Sequence, residues 1–252
     1  MSEFRLPDFI IAGAPRSGTT WLYHLLDRQP SVFMAKPVAP EPKFFLIDQL
    51  YEQGLQTYSE KWFGAAPQGS LLGEKSTNYL ERPNAATRIH SCLKDVRIIF
   101  MLRDPILRAY SNFLWSRKNG IETETNFLNA LKFEKSRTDS LLPKYQYSRP
   151  FSYFERGLYA DLLAPYLKLF GRERILVLKY EDIPENPEKI GEQLTRFLRF
   201  TSPIQTEEIG VINASIRDES IPSDAANFLR EKYDEPNRRL ERLLGTDFQI
   251  WS

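Results

Sequence analysis

The segment Gly13-Ala14-Pro15-Arg16-Ser17-Gly18-Thr19-Thr20 sets two glycines five residues apart, with one cation, Arg16, and three hydroxyl side chains. Small residues let a backbone fold closely around a phosphate, and the first N–H groups of a following helix point at the anion. An apolar run, Phe9-Ile10-Ile11-Ala12, precedes the segment, and Trp21, Leu22, Leu25 and Leu26 recur after it at helical spacing. That order predicts a strand, an anion-cradling loop and a helix. Ala14, Pro15, Arg16, Ser17, Gly18, Thr19 and Thr20 are the candidate phosphate contacts.

The glycine spacing matches a nucleotide-binding G-x-x-x-x-G loop, but Thr19 stands where an NTPase carries the lysine that reaches the β- and γ-phosphates. A loop for a 5′-phosphate or phosphosulfate, with an earlier cation and no magnesium requirement, fits these residues better; a ligand-free turn is the plain alternative. A second segment follows the same logic. Val96 to Leu102 is an apolar, β-rich run that ends in Arg103-Asp104-Pro105, after which Ile106, Leu107, Tyr110, Phe113 and Leu114 recur at helical spacing. Asp104 before Pro105 is a helix-start signal. Arg103 therefore sits at the carboxyl end of a strand, where open α/β sheets bind ligands, and Ser111 lies two turns along the helix.

These motifs carry a resemblance. Gly-x-x-(Arg/Lys)-x-Gly-Thr, followed some eighty residues later by strand-Arg-Asp-Pro-(x5)-Ser, resembles the motif pair of the sulfotransferases that use 3′-phosphoadenosine 5′-phosphosulfate (PAPS). Glu41-Pro42-Lys43-Phe44-Phe45 and Gly73-Glu74-Lys75-Ser76-Thr77 are similar to segments of the heparan-sulfate-type branch. So are Arg156-Gly157-Leu158-Tyr159 and the tail from Tyr233-Asp234-Glu235-Pro236-Asn237 to Trp251. The resemblance implies that the first loop holds the 5′-phosphosulfate and that Arg103 and Ser111 hold the 3′-phosphate. It also implies that Glu41 is the base that takes a proton from the acceptor. Arg16 stands at the position of the family's loop lysine, and Lys75 would support charge on the transferring group. Lys43, which replaces a histidine of some relatives, Tyr79 and Tyr153 are the expected acceptor contacts. The branch's Lys-Gly-Arg stretch is missing after Asn213, which leaves Arg217 as the nearest candidate for a third 3′-phosphate contact.

Strand–helix alternation predicts the elements that must position these residues: a P-loop-NTPase-like three-layer α/β/α fold with a central, mainly parallel sheet, as one domain over 1–252. Arg174 to Tyr180 reads as a further buried strand, and Pro187 to Phe200 as the helix after it. Ser136 to Tyr153 lacks a clean period and reads as a long loop; Arg137, Lys144, Arg149 and the aromatics Tyr145, Tyr147, Phe151 and Tyr153 make it either an acceptor wall or a surface loop.

Composition narrows the classes. With 252 residues, 42% of them hydrophobic, the chain can bury a full core. Basic and acidic residues number 34 and 33, a net charge of +1, which argues against capture of nucleic acid or another polyanion. His24 and His90 both fall within helical patterns, and one cysteine with two separated histidines makes no metal site. Cys92 excludes an internal disulfide and fits a reducing compartment. The first strand begins by about residue 8 and no apolar run approaches membrane length, so a cytoplasmic protein without membrane contact is expected.

The acceptor expected from size and charge is a small molecule, such as a natural product, with a saccharide as the alternative. Oligomeric state is not legible. Two other classes stay open: a P-loop kinase with Asp104 as a metal-holding aspartate, and a nucleotide-binding module without activity.

Overall fold

The computed structural model describes residues 4–206, 220–245 and 248–251. Five strands form one sheet: β1 (Phe9–Gly13), β2 (Val32–Met34), β3 (Leu71–Lys75), β4 (Arg97–Leu102) and β5 (Ile175–Lys179). Their spatial order is β2-β3-β1-β4-β5, and every neighbouring pair is parallel. β1, the strand that feeds the glycine loop, is thus central, between β3 and β4. Chain connections leave it toward β2 on one side, while β3 connects across it to β4. The carboxyl ends of strands at such a reversal form the usual ligand crevice of an open parallel sheet.

The chain groups into two compact units, residues 1–102 with 165–213 and residues 103–164 with 214–252. In the first, alternate strand residues face alternate layers. Phe9, Ile11, Ile99 and Met101 pack with Trp21, Leu22 and Leu25 of the Thr19–Asp27 helix and with Ile190 and Leu194 of the Pro187–Leu198 helix. On the other face the Phe100 ring meets Tyr166 edge-on, with centroids 5.0 Å apart. His24 and His90 lie in helices, as their neighbours predict; the His90 ring meets Phe170 edge-on at 5.4 Å.

The second unit is helical. Ala109 and Phe113 of the Pro105–Lys118 helix, Phe127 and Leu131 of the Phe127–Lys132 helix, and Leu229 and Tyr233 of the Ser223–Leu244 helix share one core. The Ser136–Tyr153 stretch differs from the expected loop: its start belongs to a helix at Glu134–Asp139, and Pro143–Tyr145 is a short 3-10 turn. Arg217 lies outside the described residues.

Candidate active site

The glycine loop follows β1 directly. Its start is tied to the next strand by Ala14 N–H, which donates to Met101 O at 2.8 Å. Two glycines make the turn possible. A Cβ on Gly13 would lie 2.7 Å from Leu80 Cβ and 3.2 Å from Thr77 O, so the loop must pass this close to the chain after β3. Gly18 has φ +79°, in the left-handed region that costs an L side chain energy, and a Cβ there would lie 2.7 Å from both Tyr180 and Ile183. Arg16 also adopts a left-handed backbone, φ 66°, which is uncommon for a residue with a Cβ.

Gly18 is the N-cap of the Thr19–Asp27 helix and brings no side-chain cap. The first-turn amides have no intrahelical carbonyl to bind, so they remain available to an anion. Ser17 is fully buried, and its Oγ has no hydrogen-bond partner among the described residues. An uncapped helix start beside an orphaned buried hydroxyl suits a phosphate group, which supplies acceptors to both. The Arg103 region is built differently. Asp104 caps its own helix, Oδ1 accepting from Ile106 N–H at 2.7 Å and Leu107 N–H at 3.4 Å. Burial raises its pKa, and those two amides partly offset the rise. A carboxylate committed to a cap is poorly disposed to hold a metal, which removes the main support for the kinase alternative. Arg103 is half-buried and its carbonyl accepts from Tyr159 Oη at 2.9 Å; Ser111 is buried.

Glu41 lies between Pro40 and Pro42, and its carboxylate is gripped from β3 and the turn after it. Lys75 Nζ approaches Oε1 at 2.5 Å, Thr77 N–H donates to Oε2 at 3.1 Å, and Thr77 Oγ1 lies 3.1 and 3.2 Å from the two oxygens. The pair is largely desolvated, with 7% of the Lys75 side chain and 13% of the Glu41 side chain exposed. Lys75 is in register with Ile11 of β1, and Ser76 N–H donates to Ile11 O at 3.0 Å. The carboxylate therefore sits beside the strand that launches the loop. A desolvated carboxylate with fixed donors is an aimed proton acceptor, and an ammonium beside it can support developing negative charge.

Of the expected residues, the structure brings Glu41 and Lys75 together next to the loop of 14–20. Thr77, which ends the motif segment Gly73-Glu74-Lys75-Ser76-Thr77 but carried no assigned role in the sequence, is the third member; its signal is a polar Lys-Ser-Thr run closing an apolar strand. Lys43 is half-buried on the same segment as Glu41. Tyr79 and Tyr153 differ from expectation. Tyr79 is fully buried, and its hydroxyl oxygen accepts from Phe45 N–H at 3.2 Å. Tyr153 is fully buried in the helical unit and donates to Glu122 Oε2 at 2.6 Å. Both tyrosines fill cores and present no surface to an acceptor. The basic residues around Tyr153 are also engaged within the chain. Arg137 pairs with Glu122 at 2.5 Å and lies over the Phe151 ring, Arg149 pairs with Glu155, and Lys144 lies over the Tyr145 ring.

Membrane-associated sulfotransferase kil1 of Dictyostelium discoideum is 22% identical, over 97% of this chain and 66% of that protein. Human heparan sulfate glucosamine 3-O-sulfotransferase 3B1 is 30% identical, over 73% of this chain and 43% of that protein. The chain thus spans less than two thirds of either relative. The crystal structure of a sulfotransferase from Alicyclobacillus acidocaldarius has the same fold, with a TM-score of 0.78 at 24% identity, covering 95% of this chain and 96% of that one. Among the described residues, no helix is long and apolar enough to cross a membrane. The model of the sulfotransferase domain family matches residues 6–217, most of the chain, and the protein belongs to that family.

Proposed function

We propose that this protein transfers a sulfuryl group from PAPS to a hydroxyl or amine of a small-molecule acceptor, with Glu41 as general base and residues 1–252 acting as one functional domain. The observation that carries the reading is the Glu41 carboxylate clamped by Lys75 and Thr77 beside the strand of the glycine loop. Family membership supports the reaction class. The orphaned Ser17 hydroxyl and the uncapped helix start support a phosphate-bearing donor.

The residues divide the work. The loop of 14–20 would hold the 5′-phosphosulfate, which brings an activated sulfuryl group. Arg103 and Ser111 would hold the 3′-phosphate, and Arg217 is retained as a further candidate contact there. Glu41 accepts the acceptor's proton as the acceptor atom bonds to sulfur, and the sulfur–oxygen bond to the phosphate breaks with its electron pair passing to the phosphate. Arg16 neutralises the departing phosphate charge, while Lys75 fixes Glu41 and offers a cation to the sulfuryl oxygens. Lys43, on the base segment, is the retained acceptor contact. The single cysteine supports a reducing, cytoplasmic setting. A saccharide acceptor is the second reading, favoured by the 30% identity to a heparan sulfate enzyme.

The test is transfer of ³⁵S from labelled PAPS to a panel of alcohols, phenols, amines, monosaccharides and heparan sulfate. Glu41→Gln is expected to lower transfer about 100-fold or more while still binding 3′-phosphoadenosine 5′-phosphate (PAP). A variant that turns over like the parent contradicts the assignment of the base, and label confined to saccharides selects the second reading.

A further inference from the structure

Glu74 is a fully buried carboxylate that the proposed transfer does not use. It precedes Lys75 on β3, so the two side chains leave opposite faces of the strand. Tyr58 Oη donates to Glu74 Oε2. The Ser76 and Tyr79 hydroxyls partly offset the effect of burial on the carboxylate, although among the described residues no donor meets Oε1 in good hydrogen-bond geometry. Burial holds the Glu74 pKa above the usual carboxylate range, and the Glu41 charge adds to the rise.

The groups around Glu74 all lead to the segment that carries the base. Ser76 Oγ accepts from Lys43 N–H at 2.9 Å, and Tyr79 Oη accepts from Phe45 N–H at 3.2 Å. Phe44 stacks on Tyr58 with centroids 4.4 Å apart, and Phe45 meets Tyr58 and Tyr79 edge-on at 5.6 and 6.0 Å. Lys43 itself is held at φ 51°, a left-handed conformation that a residue with a Cβ keeps only when its surroundings impose it. Tyr58, which donates to the Glu74 carboxylate, thus packs its ring on this loop, and the Ser76 and Tyr79 hydroxyls accept from its amides.

We infer that Glu74 is a positioning residue for the base, ordering the Tyr58, Ser76 and Tyr79 hydroxyls so that they fix the segment 41–45 and the aim of Glu41. This rests on the reading of Glu41 as the base. A buried acceptor that orients several donors at once acts as a unit with them, so its removal loosens the loop rather than one contact.

The experiment combines amide hydrogen exchange on the ligand-free protein with turnover of PAPS. The probe is the panel acceptor turned over fastest, or water where no acceptor is used. In Glu74→Ala, exchange across residues 41–46 is expected to quicken about tenfold or more while β4 keeps its protection. Turnover is expected to fall about ten- to a hundredfold, with KM for PAPS and the PAP dissociation constant within about twofold of the parent. Combined with Glu41→Gln, Glu74→Ala is expected to cause no further loss, because it acts through that residue. Ser76→Ala removes the acceptor of Lys43 N–H together with one hydroxyl beside Glu74, leaves the carboxylate and Tyr58 in place, and gives a smaller version of both effects, which keeps the test open if Glu74→Ala does not fold. Unchanged exchange across 41–46, or a loss that multiplies with that of Glu41→Gln, overturns the inference. Full turnover in Glu41→Gln alone defeats the base reading instead, and the exchange result then still decides whether Glu74 holds the loop.

Discussion

Replacing Lys75 by methionine keeps most of the side chain's bulk and removes its charge. Glu41, with only 13% of its side chain exposed, loses the ammonium at 2.5 Å and keeps the Thr77 N–H and hydroxyl. Removing one partner of a buried ion pair costs about 3–5 kcal/mol when the remaining charge is stranded. The Thr77 donors and the residual exposure relieve part of that, so Lys75→Met is expected to destabilise the protein by about 2–3 kcal/mol. Adding Glu41→Gln removes the stranded charge, and the new amide oxygen still accepts from Thr77 N–H. The double variant is therefore expected to recover to within about 1 kcal/mol of the parent. Urea unfolding at neutral pH measures both, provided the denaturant slope is unchanged. A double variant no more stable than Lys75→Met would place the loss in packing and not in an uncompensated carboxylate.

Gly18→Ala forces a Cβ into a left-handed residue against Tyr180 and Ile183, both 2.7 Å away; it is expected to cost about 2–4 kcal/mol in urea unfolding, and an unchanged midpoint argues against the close approach. Stability also depends on pH through Glu74, whose folded pKa is raised above its ordinary 4.5 mainly by burial. The folded state holds that proton more tightly, so the contribution is complete below the ordinary value and is lost as pH rises through the folded one. Unfolding followed from about pH 4 to about pH 8 is therefore expected to show Glu74→Gln gaining on the parent as pH rises, and a flat or opposite trend contradicts this. Arg103→Ala is expected to weaken PAP binding by about tenfold or more through loss of a charge-assisted contact. Calorimetry at two ionic strengths checks it, and an unchanged affinity removes Arg103 from the donor site.

The sheet was legible where strands were long and apolar. β1, β4 and β5 sit within a residue of their expected ends because β-branched runs buried on both faces leave a plain signal. The Asp104 cap and the helix after it were readable for the same kind of local reason. β2 has three residues, too few to leave a period, and the six-residue helices Phe127–Lys132 and Glu134–Asp139 span less than two turns, so part of that region reads as loop. In the candidate site, Glu41 and Lys75 were named from motif resemblance, and the structure shows that the two side chains pair. Tyr79 and Tyr153 were misread because an aromatic near a polar segment looks the same in sequence whether it lines a cleft or fills a core. Only tertiary packing separates the two. The Glu74 signal was present in the sequence: adjacent ionisable residues closing the apolar start of β3 mark a place where burial and charge meet, and perturbed groups cluster at functional sites.

The donor that this protein uses is tested most directly by a calorimetric titration with PAP, run beside ATP with and without magnesium. Saturable PAP binding is expected that does not change when magnesium is removed, that survives Glu41→Gln, and that weakens in Arg103→Ala. Binding of magnesium-ATP in preference to PAP would contradict this, since the loop, the base and the Arg103 motif would then serve a different phosphate donor.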